Sequence, residues 1–193
     1  MNSPRYAPAG LLVEQAAVRL AIDGGPAAEP PDHLDAWLVT DLHAELIGPL
    51  RHLAGVRGLR PEVARYGAAG IAIDPHPVAH TSHPTFGYLI VTDARRVVWA
   101  PEFFIFPAWA SGADLMFAEA AGWDRPIRFA HGTGGHAPAL DVGREAQASG
   151  VKRLVYAHIG RPTIAAIDAG RVPPFGEFGS DGAVYTLDDP IND

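Results

Sequence analysis

Eighteen prolines and 21 glycines are scattered through this 193-residue chain, and no long regular element fits between them. Proline lacks the N–H that helix interiors and central strands need, while glycine favours turns and caps. The fold must therefore be assembled from many short pieces. Nine segments read as strands: 10–14, 18–23, 36–40, 71–78, 87–92, 96–100, 115–118, 153–157 and 183–187. Each is rich in Val, Ile, Leu or Tyr, or bounded by Gly, Pro or Asp. "VTDARRVV" reads as a hairpin that turns at Asp93, Ala94 and Arg95. Helices are fewer, at 44–53, 61–66 and 137–149, the last with Pro138 in its first turn and Gly150 as its cap. Strands broken by helices in both halves predict a layered α/β protein in a single domain spanning 1–193.

With 48% hydrophobic residues, the chain can bury a sizeable core. Net charge is −7 and no Lys/Arg cluster exceeds a pair, which argues against capture of nucleic acid or an anionic membrane. No apolar run approaches the roughly 20 residues of a membrane span, and the first residues lack the build of a signal peptide. A cytoplasmic location is the expectation. There is no cysteine, so disulfides and thiolate metal sites are ruled out.

Chemistry gathers at strand ends. "LVTDLH" leaves a strand into Asp41 and His43, "HPVAHTSH" into His80, "VVWAPEF" into Glu102 and "RLVYAHIG" into His158. In layered α/β folds that rim is where sites are built. Imidazole with carboxylate suits zinc, manganese or iron. A lone strand-end histidine is more often a hydrogen-bonded loop residue than a ligand. Four of them matter only if the fold brings them together.

The order of these segments resembles the metallo-β-lactamase superfamily, chiefly its ribonuclease Z and phosphonate-pathway cyclic phosphodiesterase branch. "LLVEQAAVRLAIDGGP" is similar to the opening hairpin, "LVTDLHAELIGPL" to the His-x-His-x-Asp-His loop and "VAHTSHPTFGYLI" to the third motif. "VVWAPEF" resembles the strand that ends in a bridging Asp, and "GHAPALDVGREAQASGVKRLVYAHIGR" the closing helix–strand–His segment. The likeness runs from about Leu11 to the end.

What the resemblance implies is a four-layer αββα sandwich that lacks the usual first strand. It also implies a metal-dependent hydrolase, acting on a phosphodiester or related ester bond through a metal-activated water. Carried over residue by residue, Asp41, His43, His80, Glu102 and His158 become the metal ligands. Glu45 orients or deprotonates the water, and His136 contacts the phosphate or protonates the leaving group. Asp23 steadies the metal loop from behind; as a plain turn residue before Gly24-Gly25 it would do no more than turn the chain.

The loop departs from the family pattern, reading Asp41-Leu42-His43-Ala44-Glu45-Leu46, and the bridging Asp is Glu102. Asp41, Glu45 and Glu102 each exchange one donor for another. Leu46 supplies none, so one divalent ion is expected, Zn or Mn before Fe, with at most a weak second. The alternative is a catalytically inactive member serving as a binding or interaction protein. His76, His83 and His131 read as loop histidines, with His83 able to substitute for His80. The edge left by the missing strand and the aromatic stretch from Phe103 to Trp109 predict a homodimer; the alternative is that the segment Asn2–Pro8, with two prolines, blunts that edge.

Overall fold

Short-range pairing starts the fold. The computed structural model describes residues 5–31, 33–68, 70–130 and 134–187, with the backbone alone for 44–46. Strands β1 (Gly10–Gln15) and β2 (Val18–Asp23) form an antiparallel hairpin that turns at Ala16 in the left-handed region, φ 51°. β3 (Ala36–Leu38) joins β2 in parallel and completes a three-stranded sheet, followed by α1 (Ala44–Gly55).

The second sheet holds seven strands. In chain order they are β4 (Tyr66–Ala68), β5 (Ile71–Val78), β6 (Thr85–Thr92), β7 (Arg96–Ala100), β8 (Leu115–Ala120), then β11 (Arg153–Ile159) and β12 (Glu177–Phe178). Their spatial order is β12-β11-β8-β7-β6-β5-β4. Between β8 and β11 lie the small ribbon β9 (Ile127–Arg128) with β10 (Gly135–His136), and helix α2 (Ala139–Ala148); α3 (Arg161–Asp168) follows β11. The β4–β7 part is antiparallel, whereas β7, β8 and β11 run parallel. It follows that β5, β7, β8 and β11 all point one way and end on one rim.

Period-2 alternation sorts the side chains onto the two faces of the large sheet. Val97, Trp99, Leu115, Phe117 and Val155 meet Leu20, Ile22 and Leu38 of the small sheet. Val98, Ala100, Met116, Ala118, Leu154 and Tyr156 meet Ala139, Val142 and Ala146 of α2 and Ile164 of α3. A third cluster packs Ala21, Trp37 and Val39 against Ile47, Leu50 and Ala54 of α1. Among the described residues no helix is long and apolar enough to cross a membrane.

Several elements depart from the sequence expectation. The helix expected at 61–66 does not form. Instead the Val39 N–H donates to the Glu62 carbonyl at 3.1 Å and the Glu62 N–H to Trp37 at 3.3 Å, so this segment is drawn alongside β3. The strand expected at 183–187 is irregular. Its apolar alternation serves packing, with Tyr185 edge-on to Phe117 and beneath the Arg153 guanidinium. Helix α3 has no counterpart among the helices expected from the sequence, although Pro162 sits in its first turn, where the absent N–H has no intrahelical partner to lose.

Candidate metal centre

The common rim gathers four acid or imidazole side chains. His80 follows β5, Glu102 follows β7, Glu119 is the penultimate residue of β8, and His158 the penultimate residue of β11. His136 of β10 joins them, tilted against both His80 and His158 at ring separations of 4.7 and 5.1 Å. The Glu102 carboxylate lies between two imidazoles, with Oε2 3.2 Å from His80 Nε2 and Oε1 3.4 Å from His158 Nε2. Phe129 stands edge-on to His80 and His136 and closes one side with hydrocarbon.

Hydrogen-bond partners fix the tautomers. A carbonyl oxygen can only accept, so His80 Nδ1, 2.8 Å from the Gly135 carbonyl, must carry a proton and donate it. Glu119 is fully buried and ionised, its carboxyl held below the ordinary range. Burial alone would raise it, but the charge of His158 and the His136 and His158 hydrogen bonds prevail. Its two oxygens accept from four donors: Ala121 N–H at 2.8 Å, Phe103 N–H at 3.2 Å, His136 Nδ1 at 2.7 Å and His158 Nδ1 at 3.1 Å. All its lone pairs are engaged. Glu119, His136 and His158 lie close enough to hold an ion by distance alone. The saturated carboxylate instead makes Glu119 an orienting group that turns both Nε2 atoms away from itself, as carboxylate–histidine–metal arrangements require.

These contacts move the acid–base balance in opposite directions. Burial would raise Glu102, yet the His80 hydrogen bond and the charges of His158, His80 and His136 hold it at about 2. Burial would lower His158, yet Glu119 and Glu102 raise it to about 9. His80 is raised as well: burial opposes the shift, and the Glu102 hydrogen bond overcomes it. The site prefers a net cation between its carboxylates.

The placement of His158 depends on one irregularity in β11. Leu154 and Tyr156 face α2, and strict alternation would send His158 the same way. The ladder slips between Tyr156 and His158, pairing Tyr156 with Ala118 but His158 with Glu119. Ala157 is the extra residue of a β-bulge, a device that re-aims the side chains beyond it. His158 thereby reaches the face shared by Glu119.

The loop that carries Asp41 and His43 has contacts of its own. Buried Asp41 accepts the His43 N–H on Oδ1 at 2.7 Å, and its Oδ2 lies 2.7 Å from His83 Nε2. His43 is exposed and stacks on His83 at 5.0 Å. The structure thus places His80, Glu102 and His158 together, and gives Asp41 and His43 their described contacts with His83. Glu45 lies in the first turn of α1, and its side chain, like that of Leu46, lies outside the described residues, as does His131.

Asp23 sits behind the loop, at φ 57°. It accepts the Thr40 N–H at 2.8 Å and Trp99 Nε1 at 2.7 Å, so it anchors the residue before Asp41 to β7. Burial pushes its carboxyl up to about 6, against those same bonds. Glu119 was not singled out from sequence. The available signal was an acid at the end of the apolar run "LMFAEA", where a carboxylate must find donors.

No family model and no curated protein matches the sequence. Solved structures do match in shape. The metallo-β-lactamase fold protein YhfI from Bacillus subtilis superposes with TM-score 0.68 at 17% identity, covering 95% of this chain and 94% of that one. A diphosphatase of the PhnP family gives 0.65 at 16%, covering 90% and 81%. Zinc-bound PqqB from Methylobacterium extorquens gives 0.66 at 12%, covering 92% and 87%. The human short form of tRNase Z gives 0.60 at 14%, covering 92% and 93%. The chain has the metallo-β-lactamase fold, as the resemblance in its motifs implied.

Proposed function

We propose that this chain is a metal-dependent hydrolase acting on a phosphodiester or related ester bond. The observation that carries the proposal is the position of Glu102 between two imidazoles. His80 and His158 each have a proton committed at Nδ1, to the Gly135 carbonyl and to Glu119, so neutral rings would aim Nε2 lone pairs at Glu102. Lone pair against carboxylate is repulsive unless a cation stands between them. Extra protons can supply that charge, and so can a divalent ion, for which N and O donors with open positions are suited. His80, Glu102 and His158 would hold it, with zinc or manganese favoured over iron. Asp41 and His43 would join them through the carboxylate lone pairs and the ring nitrogen that their contacts with His83 do not use.

When bound, such an ion supplies Lewis-acid chemistry and brings the pKa of a water toward neutrality. Glu119 holds the His136 proton on Nδ1, which leaves Nε2 as the atom able to meet a substrate oxygen. His136 is assigned the phosphate contact or the protonation of the leaving group, and Glu45 the orientation of the water. Leu46 offers no donor, so a second ion would bind weakly at most. The fold is shared with a PhnP-family diphosphatase, human tRNase Z and an isothiocyanate hydrolase from Delia radicum gut bacteria. Phosphodiester chemistry is favoured by the motifs that resemble the first two. A cytoplasmic enzyme with a small substrate is part of the same reading.

A second reading has its own support. Asp41 is engaged by His83, which suits a catalytically inactive chain that keeps the fold for binding. Metal analysis of protein purified without chelators, then hydrolysis of bis(p-nitrophenyl) phosphate with Zn, Mn and Co, separates the two. About one ion per chain with turnover, both lost in His158→Ala, is expected. Metal-free protein without turnover under any of the ions would leave the binding reading in place.

A further inference from the structure

Among the described residues, every strand edge but one is short or attended. The large sheet ends on β4, with three residues, and on β12, with two. The small sheet ends at β3 on one side, with three residues, where Leu38 is bridged to Glu62. Its other edge is β1, six residues long, and among the described residues nothing pairs with its outer side. The one charged residue of β1, Glu14, is paired with Arg19 of β2. The strand has no proline, no lysine and no bulge, and its ladder with β2 is unbroken from Gly10 to Gln15. A six-residue edge without proline or bulge is a template for another strand.

Hydrogen-bond parity says which groups are free. The Gly24 N–H donates to the Ala9 carbonyl, so the 9–24 pair is a bonded one. In an antiparallel ladder bonded pairs recur every second residue, which assigns Leu11, Val13 and Gln15 to β2. The main-chain groups of Gly10, Leu12 and Glu14 point outward. Their arrangement is self-complementary. Two copies of β1 running antiparallel about an axis at Leu12 place Leu12 opposite Leu12 and Gly10 opposite Glu14. Each opposed pair exchanges two bonds, so this register yields about six and uses every outward group on both strands.

Side chains agree with that register. Leu11 and Val13 pack inward against the apolar cluster between the sheets, while Leu12, on the opposite face, is 39% exposed. Leu12 would meet its copy at the axis, an apolar contact between directly opposed residues. Glu14 is held by Arg19 within its own sheet, and glycine faces it across the axis, so no like charges oppose each other. We propose that two copies of this chain associate through β1, joining their small sheets into one continuous six-stranded sheet across a two-fold axis. This proposal does not depend on the metal site.

Sedimentation of the full chain at micromolar concentration tests it, together with two kinds of variant. Twice the 20.5 kDa chain mass is expected for the natural sequence. Leu12→Lys puts like charges directly opposite at the axis and should sediment as a monomer with unchanged circular dichroism. Because the chain has no cysteine, any disulfide in a single-cysteine variant must join two copies. Opposed bonded residues lie about 5.5 Å apart at Cα, within disulfide range, so Leu12→Cys should crosslink under mild oxidation. Two copies of residue 14 would be about 14 Å apart in this register, and Glu14→Cys should not crosslink. A monomeric natural sequence, a dimer that survives Leu12→Lys, or equal crosslinking at 12 and 14 would overturn the proposal.

Discussion

At the scale of single residues, Glu119 ties the site together because one carboxylate answers two backbone amides and two imidazoles. Glu119→Gln keeps the shape but replaces two lone pairs with an NH2 group, leaving at least one buried donor without an acceptor. Zinc affinity, measured by competition with a chromophoric chelator, should fall about 10–100-fold, the usual consequence of losing an orienting partner. Unchanged affinity would mean that Glu119 serves packing only. His158 makes a separate prediction for metal-stripped protein. Its pKa is raised from 6.5 to about 9 on folding, so its stabilising effect is complete below pH 6.5 and gone by about pH 9. Glu102 works in the other direction. Lowered from 4.5 to about 2, it stabilises above pH 4.5 and loses that effect as pH falls toward 2. The melting-temperature gap between natural and His158→Ala protein, both stripped, should be widest near pH 5 to 6 and close toward pH 9. A gap that widens through pH 9 would contradict the assigned partners.

At the scale of elements, the His80 turn and the β10 ribbon support each other through two adjacent glycines. The Gly135 N–H donates to the His80 carbonyl at 2.9 Å, and the Gly135 carbonyl accepts from the His80 ring. Gly134 sits at φ 88°, and a Cβ there would lie 2.0 Å from the His80 carbonyl oxygen. Gly134→Ala therefore cannot be accommodated without moving the residue that presents His80. Strain at such a position costs on the order of 1–3 kcal/mol, so both melting temperature and zinc affinity should drop. If calorimetry shows lower stability but titration shows full affinity, the glycine serves the backbone alone and the His80 turn tolerates displacement.

At the scale of the molecule, the proposed ligands His80, Glu102 and His158 stand at the ends of β5, β7 and β11, which lie far apart in sequence. An ion bound there clips elements that unfolding must separate, and binding to the folded state alone stabilises it by mass action. At free zinc about 100 times Kd the gain is about 2.7 kcal/mol. For a chain of this size that corresponds to a rise in melting temperature of roughly 5–10 °C, reversed by chelation. Scanning calorimetry with zinc and then with excess EDTA checks it. No shift, where metal analysis finds an ion, would place that ion outside the rim.

Much of this fold was legible in the chain itself. β2, β5 and β7 run where their apolar periods and bounding Gly, Pro and Asp residues place them, because those signals are local. Strand ends could likewise be read as donor positions, since a His or acid after an apolar run marks where a strand leaves the core. What sequence spacing could not contain was which donors meet. Asp41 and His83 are 42 positions apart, and nothing local records that they pair. The Ala157 bulge has no signature, because it appears only as a slip against β8, yet it decides which face His158 occupies. Glu119 became visible as an organising group only when three other segments, at Phe103, His136 and His158, delivered donors to it. Local chemistry fixed the elements and the kinds of ligand available; long-range pairing decided the partners, because register and face are properties of two strands and never of one.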